Sequence, residues 1–181
     1  MSRKNKLKAG IERFLGMTNI KRSRIRKFLE NIKNEIYKVV PIDSSKNSSG
    51  NCVGEIKIDT LSRHIVIAEK AWLTPIFDFK DIGTIPITQS VVIEADLIPD
   101  KAVDYYDSQV DAFYEKLRDI DHEILFYEIN FVGKKYTVMG YLWLMFSHNA
   151  FHLGQVDLLM RQQELLATEF MGGFDLKGAV V

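Results

Sequence analysis

Residues 138–167 read VMGYLWLMFSHNAFHLGQVDLLMRQQELLA. Apolar side chains occupy most sides of this stretch, and Leu142, Met145, His148, His152, Gln155 and Leu159 share one face at helical spacing. A helix that is apolar nearly all round belongs at the centre of a domain, and Thr137 is placed to cap its start. Immediately upstream, residues 124–138 are rich in Phe, Tyr, Ile and Val around Gly133-Lys134, which predicts a short hairpin or an extended passage with a turn. Before that, Val103, Tyr106, Val110, Phe113, Leu117 and Ile120 alternate spacings of three and four, the strongest helical signal in the chain. Downstream, the tail ATEFMGGFDLKGAVV (167–181) has no clear period, and Phe170, Met171 and Phe174 are placed to cover an edge of the fold.

Further out, residues 74–100 carry three of the four prolines and two strand-like fragments, a long and mostly irregular connection. Leu61, His64, Ile65, Ala68 and Trp72 fall on one helical face, with Asp59 or Thr60 as N-cap. The Ser- and Gly-rich segment IDSSKNSSGN (42–51) is a loop. Ahead of it, from Thr18 to Pro41, Ile25, Phe28, Leu29, Ile32, Ile36 and Val39 form an amphipathic stripe. The first sixteen residues offer Leu7, Ile11, Phe14 and Leu15 as an apolar face, but Gly10 and Gly16 interrupt it, so a short helix or a frayed end is expected. Four helices joined by long connections predict an all-α four-helix bundle with a strand-like insertion before the last helix.

With 181 residues the chain is expected to form one domain spanning residues 1–181, in which 1–17 read as a flexible basic extension. Composition is that of a folding chain, 46% hydrophobic and 27% charged. The lone Cys52 cannot form an internal bridge, and no apolar signal-type segment follows the basic start, so a cytoplasmic compartment is expected. Apolar runs such as 138–146 fall far short of the ~20 residues of a membrane span. Charge is uneven: residues 1–38 hold 12 Lys/Arg against 3 Asp/Glu, and the rest holds 12 against 21. That asymmetry fits a helix docking on an acidic body, and secondarily an arm for nucleic acid.

Of the four histidines, His64, His148 and His152 sit on inward faces. Residues four apart on a helix stack on one side, so His148 and His152 can turn two imidazoles to one point, and His64 can supply a third from a facing helix. Three neutral imidazoles leave a coordination position free, the pattern of catalytic zinc, with nickel, iron, manganese and cobalt also suited. The alternative is that they are hydrogen-bonded core residues. His122, in the turn after the third helix, reads as solvated. Cys52 reads as incidental, and Glu69 as a surface residue or one standing behind a ligand. Gly154 is expected to admit a neighbouring helix, and Gln155 to hydrogen-bond across the bundle or support a ligand from behind. Trp72, Tyr105, Tyr106 and Tyr114 suit a core or a pocket wall. Phosphate-loop, His-Glu-x-x-His and Gly-x-Ser-x-Gly patterns are missing, which removes their enzyme classes.

The run Phe146-Ser147-His148-Asn149-Ala150-Phe151-His152-Leu153-Gly154-Gln155 resembles the His-x-x-x-His-x-Gly-Gln segment of DinB/YfiT-like metal-dependent proteins. Residues 61–72, LSRHIVIAEKAW, are similar to that family's second helix, and the likeness in order and spacing covers about residues 20–165. The resemblance implies an up-down-down-up bundle, often a homodimer, with a divalent metal held by His64, His148 and His152. It also implies thiol-linked chemistry on a small-molecule substrate, with a low-molecular-weight thiol as partner. Leu153 stands where the family usually has arginine, which alters the charge expected of the pocket. The leading expectation is therefore a metalloenzyme that activates a thiol or water, a thiol transferase or a hydrolase. The alternatives are a non-catalytic helical protein whose basic first helix contacts nucleic acid or a protein partner, and a bundle with a structural or vestigial metal.

Overall fold

In the computed structural model of the chain, residues 3–31, 56–77, 84–85 and 99–162 are described. They form four helices, α1 (Arg3–Asn31), α2 (Ile58–Phe77), α3 (Pro99–Asp119) and α4 (Val138–Gln162). A short 3₁₀ helix (His122–Phe126) and two strands, β1 (Glu128–Phe131) and β2 (Lys134–Thr137), lie between α3 and α4. Helix α1 packs on α3, α3 on α2, α2 on α4 and α4 on α1, which closes the ring of an all-α bundle.

The first helix departs from the sequence expectation. No break occurs at Gly10 or Gly16, and residues 3–17 are the first half of α1 rather than a separate short or frayed piece. Each glycine costs about 0.5–1 kcal/mol in a helix interior. Burial of Ile11, Phe14 and Leu15 contributes about 1.5–3 kcal/mol apiece and outweighs that cost. The basic face of α1 docks on α3, with Arg22 paired to Asp111 and Arg26 2.8 Å from Asp107.

Helix α2 begins at Ile58, just ahead of the expected caps. Thr60 accepts from the Lys57 N–H at 3.0 Å from inside the first turn, and Asp59 pairs with Arg63 at 2.6 Å. Leu61, Ile65 and Ala68 are buried as predicted, and so are Val66, Ile67 and Leu73, so α2 is enclosed on most sides.

The hairpin pairs Glu128 with Thr137 through Phe131 with Lys134, which puts the turn at Val132-Gly133, one residue before the expected position. Both turn residues have positive φ, 51° and 70°, as a two-residue turn matched to strand twist requires. Thr137 caps α4, accepting from the Gly140 N–H at 3.0 Å. Ile85 donates its N–H to Asn130 O at 2.9 Å and ties the long connection to the hairpin. Ile32, Ile36 and Val39, the 42–51 loop, Cys52, most of the 78–98 connection, and Phe170, Met171 and Phe174 lie outside the described residues.

Candidate metal centre

Helix α4 carries His148 and His152 one turn apart, and α2 brings His64 against them. The Nε2 atom of His148 lies 3.0 Å from that of His64 and 3.1 Å from that of His152. The three imidazoles each offer a nitrogen, all within 4.8 Å of one another. His64 and His152 are buried and His148 is half-buried, with the Trp72 ring centred 4.5 Å from the His148 ring. Burial, reinforced by the neighbouring imidazoles, lowers His64 to about 3 and His148 to about 4. Burial also lowers His152, partly offset by its bond to Gln155. All three are therefore neutral at physiological pH, the protonation state in which imidazole binds a metal.

This donor set fits a divalent ion. Two nitrogens each about 2.1 Å from one ion lie about 3.0 Å apart at a right angle and about 3.4 Å apart at a tetrahedral angle, so the observed 3.0 and 3.1 Å are spacings that ligands of a shared ion adopt. Gln155 presents its amide oxygen to His152 Nδ1 at 2.7 Å, which places the proton on Nδ1 and the lone pair on Nε2, facing the cluster. Gln155 thus turns back along its own helix rather than across the bundle.

A groove of about 430 Å³ opens beside His148. Trp72, Phe131, Tyr136 and Leu144 line it, Phe151 and Val132 stand at its lip, and Lys134 is the one cation among its described lining residues. Phe151 is 61% and Val132 56% exposed, apolar surface left open to whatever enters. Leu153, at the arginine position of the resemblance, is buried in the core and lies off this lining, so it leaves the groove's charge unchanged.

Next to the histidines stands a second polar cluster, which sequence reasoning missed. Glu69 is not a surface residue: it is 0% exposed and takes four donors. Lys21 Nζ and the Tyr114 hydroxyl donate to Oε1 at 2.8 and 2.6 Å, and the Tyr106 hydroxyl and Asn149 Nδ2 donate to Oε2 at 3.2 and 2.8 Å. These partners come from α1, α3 and α4, so the carboxylate joins all four helices. Burial, with Glu69 alongside, pushes both tyrosines well above their ordinary range and keeps them protonated as donors. The available signal was a set of polar residues on apolar stripes, among them Tyr106 and Glu69, which no single helix explains.

Other expectations resolve plainly. His122 sits in the 3₁₀ helix, outside the histidine cluster. Tyr105 accepts from Lys70 Nζ at 2.9 Å. Gly154 does not admit a neighbour: it is exposed, and a Cβ there meets nothing within 4 Å.

Comparison with known proteins gives two findings. The DinB family profile matches residues 1–163. The crystal structure of a DinB-like protein from Bacillus cereus superposes with a TM-score of 0.59 at 22% identity, over 85% of this chain and 93% of that one, a likeness of fold. No curated protein matches the chain.

Proposed function

Since the chain belongs to the DinB family, we propose that its histidine cluster is the centre of a metal-dependent enzyme acting on small molecules, a thiol transferase or a hydrolase. The observation that supports this most is the convergence of three neutral Nε2 atoms, at 3.0 and 3.1 Å, beside an open groove. His64, His148 and His152 would hold the ion, zinc or nickel foremost, and Gln155 orients His152 from behind. When bound, such an ion lowers the pKa of a thiol or water toward neutrality and supplies a nucleophile for an electrophilic carbon or carbonyl. The chain's own part is to bind and orient. Trp72, Phe131 and Phe151 exclude water around the apolar portion of a substrate, and Lys134 favours an anionic group at the rim.

The reading as a nucleic-acid arm is less well supported, because Arg22 and Arg26 of the basic helix are engaged by Asp111 and Asp107. Among the described residues, no helix is long and apolar enough to cross a membrane. A homodimer remains part of the proposal: Trp143, Phe151 and Leu158 form an exposed apolar stripe on α4 that a second copy would cover.

The test is turnover by zinc- or nickel-loaded protein on an activated aryl halide with a panel of low-molecular-weight thiols, and on an activated ester without thiol. Metal-dependent turnover that disappears in His152→Ala is expected. Equal rates for the metal-loaded parent, the stripped parent and His152→Ala contradict the enzyme reading.

A further inference from the structure

We infer that Glu69, acting through Asn149, sets the tautomer of His148 and thereby turns its Nε2 lone pair toward the metal site. Both are positioning residues, and the metal half of this inference rests on the function proposed above.

The carboxylate fixes the first step. A glutamate that already takes Lys21, Tyr106 and Tyr114 as donors can only accept from Asn149. The amide nitrogen of Asn149, rather than its oxygen, must therefore face Oε2 at 2.8 Å, since two oxygens at that distance repel. The amide is planar, so its oxygen points the other way, and it lies 3.3 Å from His148 Nδ1. An amide oxygen has no hydrogen, so this bond forms only if Nδ1 carries the proton. A neutral imidazole has one such proton, and Nε2 is left with its lone pair. That Nε2 is the shared vertex of the cluster, the atom close to both other histidines. Asn149, like Glu69, is 0% exposed, so water does not compete for the bond between them. The three histidines differ in this respect: His152 is oriented by its own helix through Gln155, and His64 Nδ1 has no hydrogen-bond partner among the described residues. Of the three, His148 is the one tied to the group that joins all four helices.

Glu69→Gln reverses the relay. The amide introduced by that change keeps its oxygen toward Lys21 and Tyr114 and turns its nitrogen to Asn149. Asn149 then flips, its nitrogen meets His148 Nδ1, and the proton moves to Nε2, the wrong atom for a ligand. Asn149→Leu removes the relay at nearly constant volume. The double variant Glu69→Gln/Asn149→Asp rebuilds it, because the introduced amide donates to the introduced carboxylate, which again accepts from His148 Nδ1.

Two readouts test this: zinc affinity by competition with a chromophoric chelator, and the His148 tautomer by long-range proton–nitrogen NMR of the metal-free protein. Each single variant is expected to lose about 10–100-fold in zinc affinity, the usual effect of removing a partner behind a ligand. It is also expected to lose the Nδ1–H signal of His148, and the double variant is expected to regain both. Should Glu69→Gln not fold, Asn149→Leu carries the test alone. Unchanged tautomer and zinc affinity within about twofold in Asn149→Leu overturn the inference. A parent that shows the Nδ1–H tautomer yet binds no divalent ion overturns the metal reading and leaves the relay standing.

Discussion

Around Glu69, side chains from three other helices aim donors at one carboxylate, while around His148 Nε2 two further imidazoles aim nitrogens at one point. The two clusters share a core and touch through the neighbouring residues His148 and Asn149. In the first, donors and acceptor are matched, and a buried charge has an adjacent counter-charge. In the second, burial holds the rings neutral and their Nε2 atoms converge. Burying polar groups is costly unless they are paired. A closed set therefore reads as architecture, and an open set as a place where something binds.

The sharpest way to break this contrast is to remove one centre at a time. Glu69→Leu strands the Lys21 ammonium, 5% exposed, and is expected to cost about 3–5 kcal/mol in urea unfolding. His64→Leu, measured in chelator, should leave stability within about 1 kcal/mol of the parent, because it removes a buried imidazole whose Nδ1 has no partner among the described residues. A reversed ranking would mean that the histidines are the structural set. Next in size, Tyr114→Phe removes the 2.6 Å bond to the carboxylate and should cost about 1.5–3 kcal/mol by the same assay.

Acid separates the clusters further. In the unfolded chain the histidines protonate near about 6.5, whereas His148 and His64 in the metal-free fold do so only at about 4 and about 3. Between those values the unfolded state binds more protons, so their contribution to stability is complete above about pH 6.5 and declines as pH falls toward about 4. Thermal unfolding of stripped protein, followed from neutral pH down to about pH 4.5, should show this decline, and His64→Leu should flatten it. A small effect of opposite sign is expected at the groove lip. Val132 holds φ at 51°, costly for a β-branched residue, so Val132→Gly should raise stability by about 1 kcal/mol. The same change should weaken binding of an apolar ligand, followed by Trp72 fluorescence.

How much of this was legible in the sequence follows from the range of each signal. The His148–His152 pair is a matter of spacing on one helix, and His64 of its place on an inward stripe, so a bundle with a three-histidine centre could be read directly. Gln155 was read either as reaching across the bundle or as supporting a histidine from behind, and it takes the second course by meeting His152 on its own helix. For Glu69 the surface alternative failed and its four donors went unforeseen, because they stand on three other helices and one sequence does not state the register in which helices meet. Asn149 was hidden by standing beside His148, where a side chain is naturally read as a spacer. The continuity of α1 was missed for a related reason: local glycine propensity is visible in the sequence, while the burial of Ile11, Phe14 and Leu15 that outweighs it is tertiary.

The most direct test of the open cluster is titration of chelator-stripped protein with zinc and nickel, followed by elemental analysis after gel filtration, for the parent and for His148→Ala. About one equivalent is expected to stay with the parent and none with a variant that keeps its helical circular dichroism, which would contradict a purely structural histidine cluster. Retention of an equivalent by His148→Ala, or of none by the parent, would contradict the metal site.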